Sequence, residues 1–259
     1  MTQIREYLET SLKEHKEIIA VLGGIVAIGF VGALAFSRYE GKSEQAREAY
    51  YLALKTFESE MKPLIEKAKT SLPEPKSEPK SKVASKDDAA RQKAREEAQA
   101  MGLAITKVTF QKLDVDTAFP ESVKRFKEVD EKFAKARAGY EARMKLGNLY
   151  YEHGEYAKAL PWFEKAQTTA PNGFEKSIAY TAIGHVQENL GKPTAAVMSF
   201  QKAIDSGAGI NKGDLLIAIA RCYESAHDTA KANSTYDQII SDMPNSEQAR
   251  YAEILKGKL

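Results

Sequence analysis

The sequence predicts an all-α protein, in which a single N-terminal transmembrane helix precedes an α-solenoid of three to four helical hairpins and a C-terminal capping helix. Three observations lead to this fold class. An uncharged apolar run lies near the N-terminus, apolar residues recur at three- and four-residue steps, and a pattern of small and aromatic residues returns every 36 or 37 residues after residue 140. Helical hairpins of this kind bury their apolar faces by stacking, so three or more of them make a stable core.

The apolar run covers residues 18–36, IIAVLGGIVAIGFVGALAF, and contains no charged side chain. Its nineteen residues match the length that an α-helix needs to cross a hydrocarbon core of about 30 Å. A core helix of a soluble protein would carry a polar stripe, and this run has none. The sequence therefore predicts a transmembrane helix at 18–36, preceded by a short segment at 1–17.

A cleaved signal peptide is the alternative interpretation of this run, because Ala33–Ala35 resembles a signal-peptidase site. Two features favour an uncleaved anchor. The run is longer than the apolar region of a signal peptide, and four glutamates precede it where such a peptide carries basic residues. Lysines and arginines are nearly balanced on its two sides, so charge alone does not decide the orientation of the span.

Three regions follow the predicted span. Residues 37–70 predict an amphipathic helix, whose periodic part begins near Ser43. Residues 71–89 predict a disordered linker, because a stretch rich in proline, lysine and serine has almost no apolar surface to bury. Residues 90–259 return to helical periodicity and form the repeat domain.

The repeated pattern is clearest at 140–173. A first helix carries the pair Leu146–Gly147, a turn follows, and a second helix carries small and aromatic residues at fixed offsets before a proline ends it. The residues after the pair are Tyr150, Gly154, Tyr156, Ala159, Phe163, Ala166 and Pro171. This spacing resembles the tetratricopeptide repeat, a helix–turn–helix unit of 34 residues whose leading tryptophan is replaced here by Arg143. Gly147 is predicted to face Ala159 where the two helices approach, and Gly154 to take a positive φ.

Two further copies of the pattern follow, near 177–210 and 213–246, and residues 247–259 predict a capping helix with Asn245 or Ser246 as its N-cap. The second copy consists of Ile183–Gly184, Gly191, Ala196, Phe200 and Ala203, and the third of Ile219–Ala220, Tyr223, Ala232, Tyr236, Ile239 and Pro244, with His227 in place of the turn glycine. A weaker echo, Ser122, Phe126 and Val129, matches only the second helix of a degenerate repeat.

The resemblance to tetratricopeptide repeats implies that the first helix of each unit lines a groove for an extended or helical peptide of a protein partner. The residues that it points into this groove are Met144, Lys145, Asn148, Tyr151, Glu152, Thr181, His185, Glu188, Asn189, Ile217, Arg221 and Glu224. Members of the family that grip acidic chaperone tails use a carboxylate clamp of lysine, asparagine and arginine. Only Asn148 matches that clamp, so this class of ligand is not expected.

Other classes of function find no support in the residues. The 38 basic and 36 acidic side chains leave a net charge of +2, too small to recruit nucleic acid. Phosphate-binding, zinc-protease, serine-hydrolase and cysteine-pair motifs are absent from the sequence, so we expect neither an enzyme nor a cofactor or metal. Cys222, the single cysteine, reads as a small core residue on a helix.

The whole layout resembles a bacterial family, the ancillary SecYEG translocon subunit or YfgM-like proteins. That resemblance implies an inner-membrane protein with residues 1–17 in the cytoplasm and the repeats in the periplasm. The repeats would then contact chaperones or proteins emerging from the translocon. Two other hypotheses stay open, namely a receptor whose repeats face the cytosol and a soluble periplasmic assembly factor released by cleavage after Ala35.

Overall fold

The computed structural model describes residues 16–70, 101–103, 105, 112–207 and 211–259, with side chains from residue 41 onward. The segment 1–15 and the predicted linker at 71–89 lie outside the described residues. Every regular element within the described ranges is an α-helix. The predicted all-α class is therefore confirmed for this part of the chain.

The first helix, α1, runs without interruption over Lys16–Thr70. No separate helix starts near Ser43, because no proline precedes Pro63 in this helix and the glycine nearest to Ser43, Gly41, costs a helix only about 1 kcal/mol relative to alanine. Within the part of the chain that the structure describes, no helix combines the length and hydropathy of a membrane span. The prediction at 18–36 concerns residues whose side chains lie outside that part.

The remaining helices follow in hairpins joined by short turns. Their bounds are α2 Val115–Ala118, α3 Pro120–Lys132, α4 Arg137–Glu152, α5 Tyr156–Thr169, α6 Gly173–Asn189, α7 Pro193–Ser206, α8 Lys212–Ser225, α9 Thr229–Asp242 and α10 Glu247–Lys256. From α3 onward each helix packs against the next, as expected of an α-solenoid. Several of these helices begin at an N-cap residue. The side chains of Asn172, Asp228 and Ser246 accept hydrogen bonds from backbone N–H groups in the first turn of the helix that follows. Of the two predicted caps for α10, Ser246 is the one used.

In the first two hairpins a glycine on the first helix packs against an aromatic ring of the second helix. A Cβ atom built on Gly147 would lie 2.6 Å from the ring of Phe163, and one on Gly184 would lie 2.5 Å from the ring of Phe200. The nearest atoms to Gly147 thus belong to the aromatic ring one turn beyond Ala159 on α5. The rings are at most 1% exposed, so helix spacing is set by this fit of small against large.

The three hairpin turns share one hydrogen-bond pattern. Gly154 has φ +80°, as predicted, and Gly191 and His227 have φ +68° and +59° at the same place in the next two units. In the first turn the N–H of Gly154 donates to the carbonyl of Tyr151 at 3.0 Å, and the following N–H donates to the carbonyl of Tyr150 at 2.8 Å. This is the Schellman arrangement, in which a left-handed residue ends a helix.

We expect His227→Gly to stabilise the protein by about 0.5–1 kcal/mol. A left-handed conformation costs a residue with a Cβ about 1–2 kcal/mol, which exceeds the extra backbone entropy that glycine loses on folding. Urea denaturation followed by circular dichroism measures the change. Gly154→Ala, the reverse exchange at the matching position, is the control and should destabilise, and an unchanged or lower midpoint for His227→Gly would contradict the argument.

Candidate functional site

A cleft of about 650 Å³ opens along the first helices of the three hairpins, α4, α6 and α8. Seven of the predicted groove residues line it, and they come from all three helices: Met144, Asn148, Tyr151, Thr181, His185, Ile217 and Arg221. They share a surface because the helical repeat turns the same positions of successive first helices toward one side of the stack. The cavity is large enough for several side chains of a peptide or protein segment.

Three exposed apolar side chains in the cleft were not predicted from the sequence. Phe174 is 49% exposed, Ile178 is 40% exposed and Tyr251 is 50% exposed. Phe174 precedes the predicted second copy of the repeat, and Tyr251 belongs to the capping helix α10, so the repeat pattern assigned neither to the groove. The four-residue step from Phe174 to Ile178 was the available signal, since it places both on one face of α6.

Seven further residues complete the lining. They are Phe163, Ser177, Ala182, Asn211, Asp214, Leu215 and Ala218. Most of these seven are small or apolar, so they add apolar surface to a cleft that also presents polar groups such as Asn148 and His185. This composition is typical of sites that bind apolar side chains of a partner.

Arg221 and Glu188 form an ion pair across α8 and α6 beside the cleft. The guanidinium donates two hydrogen bonds to the carboxylate, the Nη2–Oε2 bond measuring 2.8 Å, and His185 Nδ1 lies 3.5 Å from the same carboxylate. Burial alone would raise the pKa of Glu188, but hydrogen bonds from His185 and Arg221 and the positive charge of the arginine outweigh it and lower the pKa to about 2. The carboxylate is therefore held in its charged form.

This pair predicts a loss of stability in acid. Since the pKa of Glu188 falls from its ordinary value of 4.5 to about 2 on folding, its stabilising contribution is complete above pH 4.5 and is lost as the pH falls toward 2. We expect Glu188→Gln to be less stable than the parent at neutral pH, with a difference that shrinks through this window. Urea denaturation at a series of pH values measures it, and a difference that stays constant to the acid end would contradict the assignment.

The other predicted groove residues lie beside the cleft and make contacts within the protein. Lys145 places its Nζ 4.1 Å from the ring centre of Phe57 on α1, and burial lowers its pKa. The amide of Asn189 donates to the hydroxyl of Tyr151 at 3.1 Å. The carboxylate of Glu224 accepts from a tyrosine hydroxyl at 2.8 Å, and Glu152 is half-buried outside the lining.

The charged residues that line the cleft already have partners in the protein. Arg221 is paired as described, and Asp214 accepts a hydrogen bond from Gln248 of α10 at 3.0 Å. An acidic chaperone tail would need a free cation, and the guanidinium among the lining residues, Arg221, is already bound to Glu188.

Cys222 is fully buried on α8. Burial raises its pKa to about 11, and the negative charge of Glu188 contributes in the same direction. A buried thiol of this kind is neither a nucleophile nor a metal ligand at neutral pH. The interpretation of Cys222 as a core residue is confirmed.

Sequence profiles of the tetratricopeptide repeat match three stretches of the chain, residues 140–172, 178–206 and 214–246. The matched stretches coincide with the hairpins α4–α5, α6–α7 and α8–α9. The chain therefore carries tetratricopeptide repeats, which are protein–protein interaction scaffolds, and no catalytic family is indicated. No curated protein is significantly similar to the chain.

Proposed function

We propose that this tetratricopeptide-repeat chain is a membrane-tethered scaffold that binds a segment of a partner protein in the cleft of α4, α6 and α8. The observation that carries the proposal is the cluster of half-exposed apolar side chains, Phe174, Ile178 and Tyr251, in that cleft. Apolar side chains grouped in a concavity of a folded domain are typical of interaction sites. The lining charges are already paired, which favours a ligand that contributes apolar side chains.

The tether is the apolar run at 18–36. Its support is the sequence itself, nineteen uncharged residues within the helix α1, and the length matches a bilayer core of about 30 Å. A tether raises the local concentration of the cleft for partners at the same membrane, so modest affinity for each partner is sufficient.

The side of the membrane and the partner class rest on the resemblance in layout to the ancillary SecYEG translocon subunits. In this proposal residues 1–17 are cytoplasmic, the repeats lie in the periplasm of a bacterium, and the partners are chaperones or envelope proteins near the Sec translocon. A cytosol-facing receptor and a soluble periplasmic factor are the competing outcomes of the topology experiment below.

Blocking the cleft tests the binding proposal. Ala182 lines the cleft and is half-buried, so the indole of Ala182→Trp would occupy the ligand's space. We expect this variant to lose at least tenfold of the protein crosslinks formed in cells by a photoreactive residue at Tyr151. Met198→Trp is the matched control, because Met198 on α7 is 59% exposed and outside the cleft lining. Equal crosslinking by both variants would overturn the proposal.

Protease accessibility tests the topology. A C-terminal tag is followed in intact cells, in cells with an opened outer membrane and after lysis, together with the mass of the mature chain. Digestion on opening the outer membrane, with the mass of the full chain, is the expected result. Protection until the inner membrane is lysed would place the repeats in the cytosol, and a mass that lacks residues 1–35 would indicate a cleaved signal peptide.

A further inference from the structure

An aromatic pair in the first repeat has a counterpart earlier in the chain. The rings of Tyr151 on α4 and Tyr156 on α5 lie with their centroids 5.3 Å apart across the hairpin. The rings of Phe57 on α1 and Phe119 at the start of α3 lie at the same centroid distance, 5.3 Å. The first pair is five residues apart in sequence and the second is 62 apart, a difference of 57.

The core positions around the two pairs correspond one to one. Four residues before the first ring stands a small residue, Gly147 in one case and Ala53 in the other. The second helices correspond as well, with Ser122, Phe126 and Val129 at the places of Ala159, Phe163 and Ala166. Ala53, Ser122, Phe126 and Val129 are at most 2% exposed, and Phe57 is half-buried. Ala53 and Phe126 are separated by 73 positions in the sequence, and Gly147 and Phe163 by 16. The two separations again differ by 57.

We infer that residues 48–58 of α1 and residues 119–132 form a fourth tetratricopeptide unit, interrupted at its turn by 57 additional residues. The profiles of the family match only from residue 140 onward, because a profile for a 34-residue unit does not bridge an interruption longer than the unit itself. The degenerate repeat that Ser122, Phe126 and Val129 indicated therefore obtains its first helix from α1. This inference is independent of the function proposed above.

Side-chain contacts replace the missing short turn. The carboxylate of Glu60 on α1 accepts hydrogen bonds from the N–H groups of Glu121 and Ser122 at 3.0 and 3.1 Å and from the Ser122 hydroxyl. Phe119 supplies no side-chain cap to α3, so a carboxylate from α1 fulfils the capping role and also complements the helix dipole.

The returning end of the inserted stretch is bound to the first repeat. The N–H of Val115 donates to a carboxylate oxygen of Glu155 at 2.7 Å, and Asp116 accepts from the hydroxyl of Tyr150 at 2.8 Å. Val115 is fully buried. Glu60, near the start of the insertion, and Val115 and Asp116, near its end, thus all make hydrogen bonds to the helical repeats.

Restoring a short turn tests the inference directly. In the full chain, residues 58–118 are replaced by the four residues that occupy 152–155, Glu-His-Gly-Glu, which brings Phe57 and Phe119 to the spacing of Tyr151 and Tyr156. We expect the shortened protein, in a mild detergent, to unfold in one cooperative thermal transition. A direct join of residue 57 to residue 119 is the control and should lose cooperativity, because no turn can form. Equal behaviour of the two deletions would overturn the inference.

A second experiment cuts the insertion and retains the hydrogen bonds of Glu60 and Val115. A protease site is introduced between residues 80 and 90 of the full chain, and the cleaved protein is passed through a sizing column in detergent. We expect the two fragments to elute together, and the double variant Tyr50→Ala with Phe57→Ala to separate them, because these rings contact Phe126 and Phe119. Tyr51→Ala is the control, because Tyr51 is 54% exposed. This variant should not separate the fragments. Separation of the parent fragments, or no release by the double variant, would overturn the inference.

Discussion

We expect Gly147→Val to lower the free energy of unfolding by about 3 kcal/mol, the upper end of the range for overpacking a core. The first atom of the new side chain would lie 2.6 Å from the ring of Phe163, which is 1% exposed. Removing a glycine from a helix gains up to about 1 kcal/mol. The cost of overpacking exceeds this gain in helix propensity, because the ring and both helices must shift to admit the branched side chain.

Urea denaturation measures this effect, with three comparisons. Gly147→Ala should lie between the parent and Gly147→Val, since it adds one carbon and keeps the gain in helix propensity. Gly257→Ala should be nearly neutral, because the nearest atom to its new carbon is 3.5 Å away. Combining Gly147→Ala with Phe163→Leu should recover part of the loss. A valine variant as stable as the parent would contradict the proposed packing of the hairpin.

The second large effect concerns a buried ion pair between α3 and α4. Arg143 is 4% exposed and donates through Nε to Asp130, which is 7% exposed, and its Nη1 donates to the hydroxyl of Thr169. Asp130→Ala leaves the guanidinium buried and without its carboxylate. We expect a loss of about 3–5 kcal/mol in the free energy of unfolding, because an uncompensated buried charge is far more costly than a missing contact.

Two variants separate this explanation from a general loss of packing. Asp130→Leu combined with Arg143→Met removes both charges and should be more stable than Asp130→Ala, since apolar replacements of a buried pair are often well tolerated. Glu128→Ala disrupts an exposed pair with Lys132 at 3.8 Å and should cost less than about 1 kcal/mol. If the double variant were as unstable as Asp130→Ala, the charge would not be the cause.

The position of Arg143 also illustrates why part of the core could not be predicted. The repeat pattern predicts a tryptophan there, and the sequence alone identifies the arginine only as a departure. Its partner Asp130 lies 13 residues away on another helix, and no rule of local spacing pairs them. The contact exists because α3 and α4 pack side by side, so it is a property of the stacked helices.

Some residues of the candidate site could likewise be predicted from the sequence, and others could not. Met144, Thr181 and Ile217, which were predicted from the sequence, line the cleft because they recur at one position of successive first helices. Phe174 and Tyr251 were missed, since one lies in the first turn of α6 and the other on the capping helix. Only the stacked structure brings those two side chains into the cleft.

The amino-acid sequence by itself determined the helical class, the three repeats, the left-handed turn at Gly154 and a cap for α10 at Asn245 or Ser246. Each of these depends on residues within about one repeat of one another, where helical periodicity and backbone preference act directly. The tertiary structure alone decided the pairing of Phe57 with Phe119 and the ring that fills the space at Gly147. These contacts join segments up to 62 residues apart, and burial of apolar surface selects them only after the helices have formed and packed.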